Sequence, residues 1–198
     1  MTLRRSILTT VLTLCLSALF SLIAAFTSSV PVAYALGGPQ PTINQPAPAF
    51  TLPTNREEGK ISLSDYAGEW VVLYFYPRDF TPGCTLEAQR FQRDLSQYQA
   101  HNAQIVGVSA DDVGSHQEFC DSEAIAYPLL SDPNGEVSRA YGSWMTPMSM
   151  RHTYLIDPSG VLRERFLGVR PAIHSQEVLA RLDQLQSPLT DSAIEPLN

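Results

Sequence analysis

VVLYFYPRDFTPGCTLE, residues 71–87, joins a run of six apolar residues to a segment that carries the signals of a helix start. The uninterrupted apolar run at 71–76 is typical of a buried central strand. Thr81 is a favoured N-cap and Pro82 a favoured first helical residue. We therefore predict that a strand ends near residue 76 and that a helix runs from Pro82 to about residue 99.

A second buried strand is predicted at 104–109, and the strand–helix–strand order predicts a right-handed parallel crossover. Further short strands are predicted at 50–52, 61–63, 127–130, 151–156 and 161–167, and further helices at 115–125, 134–141 and 174–185. The helix at 115 rests on the capping-box spacing of Ser115 and Glu118. The whole order, β-β-β-α-β-α-β-α-β-β-α, predicts an α/β sandwich around a central mixed sheet.

The first 35 residues have the features of a secretory signal peptide. Arg4 and Arg5 precede an uncharged, mostly apolar run at 6–26, and Ala33-Tyr34-Ala35 is an A-x-A cleavage site. We predict cleavage after Ala35 and export to the periplasm or to a compartment like the thylakoid lumen, where a disulfide can persist. An uncleaved anchor stays open, because 21 uncharged residues could just span a bilayer.

The remaining chain divides into a Pro- and Gly-rich lead-in at 36–48, a domain at 49–186 and a polar tail at 187–198. Without the two arginines of the leader, 11 basic and 20 acidic side chains give a net charge of −9. This acidity argues against binding to nucleic acid or to anionic membrane surfaces. Three cysteines exclude a disulfide-rich scaffold, and the four separated histidines predict no metal site.

Cys84 is the candidate nucleophile. It is the third residue of the predicted helix and follows a buried strand, where α/β folds often bind ligands. N–H groups in a first turn lack helical partners and favour negative charge, so the sulfur is placed to react as a thiolate. Thr81 could donate its hydroxyl hydrogen to this sulfur or to a bound oxygen. An inert buried cysteine is the alternative.

Residues 77–84 and three later stretches of the sequence all resemble the same family. Pro77-x-x-x-Thr81-x-x-Cys84 matches the P-x-x-x-T-x-x-C motif of the peroxiredoxins, and YPRDFTPGCTLE is similar to their bacterioferritin-comigratory (PrxQ) branch. The other matching stretches are VGVSADD at 106–112, PLLSDPNGEV at 128–137 and RHTYLIDPSG at 151–160. The resemblance implies a thioredoxin-like three-layer sandwich and a thiol peroxidase that acts on hydrogen peroxide and organic hydroperoxides without a cofactor.

The resemblance also implies roles for individual residues. Cys84 is the peroxidatic nucleophile, and Thr81 is a ligand of the peroxide. Pro77 shields the sulfur, and Arg151 is the active-site arginine. Attack of a thiolate on an O–O bond gives a sulfenic acid, and donors such as Arg151 and the N–H groups near Gly83 stabilise the leaving oxygen. A solvated arginine at a strand end is the alternative for Arg151. Glu87 matches a C-T-x-[EQ] position, although a first-turn acid that complements the helix dipole explains it equally well.

The resolving cysteine departs from a common arrangement of the branch. Many PrxQ-like proteins carry a cysteine five residues after the first, where this chain has Gln89. Cys120, 36 residues after Cys84, is similar to the resolving cysteine of another subset. We expect a Cys84–Cys120 disulfide, formed after the first helical turns around both cysteines unwind and reduced by thioredoxin or a similar dithiol, in a monomer. The alternatives are a one-cysteine enzyme with an external thiol and a peroxide-sensing switch.

Overall fold

The structure is a computed structural model, and it describes residues 37–57 and 59–187. The predicted signal peptide at 1–35, and all but the first residue of the predicted polar tail, lie outside the described residues. Within the described part of the chain, no helix has both the length and the apolar character needed to cross a membrane.

The described residues form nine strands, five α-helices and a short 3₁₀ helix at Leu63–Tyr66. The strands are β1 (Thr51–Pro53), β2 (Lys60–Ser62), β3 (Trp70–Phe75), β4 (Ala103–Ser109), β5 (Leu129–Ser131), β6 (Trp144–Met145), β7 (Met148–Ser149), β8 (His152–Ile156) and β9 (Leu162–Leu167). The helices are α1 (Pro82–Arg93), α2 (Leu95–Ala100), α3 (Val113–Glu123), α4 (Glu136–Ala140) and α5 (His174–Gln186).

β3 lies at the centre of a five-stranded sheet with the order β5-β4-β3-β8-β9. It pairs in parallel with β4 and antiparallel with β8, so the sheet is mixed as predicted. Alternate residues of β3 face opposite sides, and one side packs against α1, α3 and α5 through Phe91, Phe119 and Leu182. The other side packs against Phe50 and Tyr141. The predicted α/β sandwich with a central mixed sheet is confirmed.

The single helix predicted from residue 82 to residue 99 is wrong in one respect, because it is broken into α1 and α2. Asp94, between them, has φ −94° and ψ 4°, and its buried carboxylate accepts hydrogen bonds from Ser175 Oγ and Gln176 Nε2 of α5, each at 2.8 Å. These partners lie more than 80 residues away in sequence. The break therefore depends on tertiary polar contacts, which hydrophobic periodicity does not record.

The capping box predicted at Ser115 is also wrong. α3 begins two residues earlier, and its N-cap is Asp112, whose carboxylate accepts the Ser115 N–H at 2.8 Å. The Ser115 hydroxyl instead donates to Asp79 at 2.7 Å. Cys120 consequently lies in the last turn of α3, so the prediction that a first turn unwinds around it is wrong. The other predicted elements agree with the observed bounds to within two residues.

Candidate active site

Cys84 lies where β3 passes into α1. Thr81 is the N-cap with extended backbone angles, Pro82 is the first residue of α1, and Cys84 is the third. The Cys84 side chain is a free thiol that is only 1% exposed. The helix start read from the sequence therefore places this sulfur beside first-turn N–H groups that have no acceptor within the helix.

Arg151 is brought to Cys84 by strand pairing. It directly precedes β8, whose first residue, His152, pairs with Phe75 at the end of β3. Arg151 Nη2 donates to Cys84 Sγ at 3.2 Å, and Arg151 Nη1 donates to Glu87 Oε2 at 2.5 Å. The guanidinium thus joins two residues of α1 and stabilises negative charge on the sulfur.

Gly83 makes room for this guanidinium. A Cβ at position 83 would lie 3.1 Å from Arg151 Nη2 and 3.7 Å from its Cζ. A contact of 3.1 Å is tight, so a side chain here would shift the guanidinium by a few tenths of an ångström. The role expected from the sequence was a backbone N–H near the reacting oxygen; close approach of the arginine is a second reason for the glycine.

Glu87 is a buried acid on the same face of α1 as Cys84. Its side chain is 1% exposed, and among the described residues Oε1 has no hydrogen-bond partner. Burial raises the pKa of Glu87 to about 7, although Arg151 acts in the opposite direction. Burial would lower the pKa of Arg151, but Glu87 and Cys84 raise it further, so the guanidinium remains charged. Glu87 is the sixth residue of α1, beyond its first turn, so the alternative of a first-turn acid that complements the helix dipole is wrong.

Thr81 and Pro77 lie in the segment between β3 and α1. The Thr81 hydroxyl donates to Arg78 O at 3.0 Å, and it makes no capping bond to α1. Its hydrogen is therefore taken by a backbone carbonyl, contrary to both expectations, which had it donated to the sulfur or to a bound oxygen. The hydroxyl oxygen can still accept a hydrogen bond from a ligand. Pro77 is half-buried at the first position after Tyr76.

The histidines make separate contacts. His174 Nε2 lies 2.8 Å from Thr153 Oγ1, and His101 Nδ1 lies 2.8 Å from Gln186 Oε1. Across residues 37–57 and 59–187, no group of three or more His, Cys, Asp or Glu side chains is placed to hold a metal ion.

Comparison with known proteins identifies the family of this chain. The model of the AhpC/TSA family matches residues 43–165. Peroxiredoxin Bcp of Xanthomonas campestris pv. campestris is 38% identical over 147 residues, which cover 69% of this chain and 91% of that protein. The chain belongs to the peroxiredoxin family. Within this family it belongs to the bacterioferritin-comigratory (PrxQ) branch, and peroxiredoxins are thiol peroxidases.

Solved structures agree with this assignment. The crystal structure of a cysteine-to-serine mutant of Xylella fastidiosa PrxQ has a TM-score of 0.71 and 31% identity, and the match covers 76% of this chain and 100% of that one. A structure of the Xanthomonas campestris bacterioferritin comigratory protein, a protein with alkyl peroxide reduction activity, has a TM-score of 0.65 and 33% identity over 69% and 91% of the two chains. The thioredoxin-like fold of this peroxiredoxin is therefore confirmed.

Cys120, the other cysteine among the described residues, is also buried. Cys120 is 4% exposed and, like Cys84, a free thiol. Burial raises the pKa of the Cys120 thiol to about 11. Arg56 Nη2 donates to Ile125 O at 3.3 Å and to Tyr127 O at 2.7 Å, which ties the segment after α3 to the loop between β1 and β2. Cys120 has to leave this environment before its sulfur can react.

Sequence reasoning missed a polar contact between the loop that precedes α1 and the helix that carries Cys120. Asp79 is 4% exposed, and its Oδ2 lies 2.9 Å from Nδ1 of His116, which is fully buried. The sequence held one signal of this contact. Ser115 and His116 are adjacent near the start of α3, and Asp79 is an acid in the segment that leads to Cys84. The 37-residue separation hides it from any local pattern.

We predict that Glu87→Gln removes a pH dependence of stability from this peroxiredoxin. Glu87 has an ordinary pKa of 4.5 and a folded pKa of about 7, so between these values the folded protein keeps a proton that the unfolded chain releases. The free energy of unfolding of the wild type should therefore fall as pH rises from 4.5 to 7, by up to about 3 kcal/mol.

Urea unfolding of the wild type and of Glu87→Gln at pH 5 and at pH 8 measures this effect. The variant should gain stability relative to the wild type as pH rises. Glu118→Gln, which changes an exposed glutamate of α3, is the matched control and should show no such gain. Equal pH dependence in the wild type and Glu87→Gln would contradict the prediction.

Proposed function

We propose that the protein reduces hydrogen peroxide and organic hydroperoxides through a sulfenic acid on Cys84. The observation that carries the proposal is the 3.2 Å contact between Arg151 Nη2 and Cys84 Sγ at the first turn of α1. A fixed cation beside the nucleophile and N–H groups in the same turn stabilise charge as it develops on oxygen. The alkyl peroxide reduction activity of the Xanthomonas campestris relative supports organic hydroperoxides as substrates.

In the first step, the Cys84 thiolate attacks one oxygen of the peroxide, so that an S–O bond forms and the O–O bond breaks. The sulfur loses two electrons and becomes Cys–SOH, while the other oxygen leaves as hydroxide or alkoxide and takes up a proton. Arg151 and the N–H groups of Gly83 and Cys84 donate to the oxygens as negative charge moves onto the leaving one. Thr81 accepts the peroxide O–H, and Pro77 shields the sulfur.

In the second step, the Cys120 thiol condenses with the sulfenic acid, so that an S–S bond forms and water leaves. A disulfide needs Cα atoms within about 7 Å, and both cysteines are held in helices. The first turn of α1 and the last turn of α3 therefore unwind before the bond forms. Unwinding also exposes the Cys120 sulfur to water, which removes the burial that raises its pKa.

In the third step, thioredoxin or a similar dithiol reduces the Cys84–Cys120 disulfide, and its own two thiols become a disulfide. We place this cycle in an extracytoplasmic compartment, because residues 1–35 have the pattern of a signal peptide. We also propose that the protein acts as a monomer and needs no metal or other cofactor.

The mass of the reduced protein after one equivalent of peroxide tests the proposal. We expect a loss of about two mass units, with Cys84 and Cys120 recovered in one crosslinked peptide. A stable gain of about sixteen mass units on Cys84 would instead mean one-cysteine chemistry with an external resolving thiol. Steady-state turnover with a dithiol donor then separates a peroxidase from a sensing switch, since a switch forms the disulfide without sustained consumption of peroxide.

Cys120→Ser should separate the two steps. We expect the variant to oxidise Cys84 at the wild-type rate in the first turnover and to lose recycling by thioredoxin, because no intramolecular disulfide can form. Stopped-flow oxidation followed by a steady-state assay measures both properties. If recycling by thioredoxin persists unchanged, Cys120 is a core residue and the resolving role is wrong.

A further inference from the structure

The loop between β3 and α1 is fastened to α3 by Asp79. Its carboxylate accepts hydrogen bonds from Tyr76 Oη at 2.8 Å and from Ser115 Oγ at 2.7 Å, and it lies 2.9 Å from His116 Nδ1. The Asp79 N–H donates to Asp111 Oδ2 at 2.9 Å, just before α3. One buried residue of the loop between β3 and α1 thus contacts the residue that follows β3, the first turn of α3 and the segment that leads into α3.

Both ring nitrogens of His116 have a hydrogen-bond partner. Its Nε2 lies 3.2 Å from Leu130 O, a carbonyl that can only accept, and Nδ1 faces the Asp79 carboxylate, which also accepts. Burial would raise the pKa of Asp79, but hydrogen bonds from His116, Ser115 and Tyr76 hold it below its ordinary value. Asp79 and His116 therefore form a buried hydrogen-bonded pair, and Tyr76 Oη lies 3.3 Å from His116 Nδ1 beside it.

A second contact supports the first. Phe80, next to Asp79, has φ 59°, in the left-handed region that an aromatic residue rarely adopts. Its ring, half in solvent, meets the buried Phe119 ring edge-on at 5.2 Å between centroids. Phe119 directly precedes Cys120, so two successive residues of the loop bind α3.

The positions of Asp79 and His116 relative to the two cysteines give this pair a role. Asp79 lies five residues before Cys84, and His116 lies four residues before Cys120. Neither residue belongs to the turns that have to unwind, since His116 is in the first half of α3. Five extended residues reach at most about 17 Å and four about 14 Å, so two segments held at one point can bring their sulfurs together.

We propose that the Asp79–His116 pair is the fixed point about which the two cysteine-bearing segments unwind and meet. This inference rests on the proposed resolving role of Cys120. Because both segments are tethered to the same buried pair, the concentration of Cys120 around the Cys84 sulfenic acid stays high while the helical turns are open. The pair acts as a positioning element for disulfide formation. Faster disulfide formation leaves less sulfenic acid on Cys84 to be oxidised further to the sulfinic acid.

Asp79→Asn tests this role, with Asp94→Asn as the matched control. Asp94 is as buried as Asp79 and accepts hydrogen bonds from Arg93, Ser175 and Gln176. It lies at the opposite end of α1 from Cys84, and these bonds join that end to α5 rather than to α3. Rapid quenching and mass analysis give separate rates for sulfenic acid and disulfide formation. Asp79→Asn should slow disulfide formation about tenfold or more and increase the sulfinic product, with sulfenic acid formation changed less than about twofold.

If Asp79→Asn forms the disulfide as fast as the wild type and Asp94→Asn do, the role of the Asp79–His116 pair is overturned, while the resolving role of Cys120 stands. Absence of the Cys84–Cys120 disulfide in the wild type, measured in the same series, overturns the resolving role and the fixed point together. A measurement on the wild type covers the case in which Asp79→Asn does not fold. The ¹⁵N resonances of the His116 ring should be the same in the reduced and the disulfide form, because the contact with Asp79 persists, and a change in these resonances on oxidation overturns the inference.

Discussion

Cys84→Ser is expected to lower the rate of peroxide reduction by at least about a thousandfold, because a serine hydroxyl is a far weaker nucleophile than a thiolate. The Arg151 guanidinium beside position 84 only donates, so it cannot take a proton from a serine hydroxyl. Sulfur also accepts the transferred oxygen as a sulfenic acid, and a serine oxygen has no equivalent product. The chemistry should therefore stop, and Arg151 and Thr81 cannot replace it.

Stopped-flow peroxide consumption measures this loss, and the thermal transition of the variant shows that the fold is retained. The control is Cys120→Ser, which removes the other thiol and should keep the first turnover. Retention of the wild-type rate by Cys84→Ser would overturn the assignment of Cys84 as the nucleophile, and the proposed cycle with it.

Arg151→Met is the second large effect, with an expected loss of about a hundredfold to a thousandfold in the rate of Cys84 oxidation. The side chain holds the sulfur with one nitrogen and Glu87 with another, so its removal takes away the donor that faces the reacting oxygens. Arg151→Lys keeps the charge but loses the two-pronged geometry, and it should recover only part of the rate.

Loss of Arg151 also leaves Glu87 buried without its cation, which costs stability on its own. The double variant Arg151→Met with Glu87→Gln removes that charge and should regain stability but not activity. Arg163→Met, which breaks the ion pair with Asp157 at the opposite end of β8, is the control for loss of an arginine. Activity of Arg151→Met equal to that of Arg163→Met would show that Arg151 serves stability alone.

Local sequence signals were sufficient to predict where α1 begins and that Cys84 is its third residue. The apolar run of β3 and the Thr81-Pro82 pair act over a few residues, so the sequence records them directly. Arg151 came from the family resemblance, because it lies 67 residues from Cys84 and approaches it only through pairing between β3 and β8.

Contacts between distant polar side chains escaped prediction. The break at Asp94 and the Asp79–His116 pair each depend on a carboxylate whose partners on other helices lie 36 to 82 residues away. Ser115 shows the same limit, since its spacing to Glu118 indicated a cap while its hydroxyl in fact binds Asp79. Periodicity and capping patterns describe one element at a time, whereas buried polar groups find their partners only after the elements have packed.

The register between β3 and β8 sets the distance on which the chemistry depends. Phe75 lies opposite His152, and this pairing alone fixes how far the residue before β8 stands from the first turn of α1. A slip of one residue would turn that arginine toward the other face of the sheet. The catalytic rate therefore depends on the pairing of β3 with β8. Activity and sheet structure should be lost together as the protein unfolds.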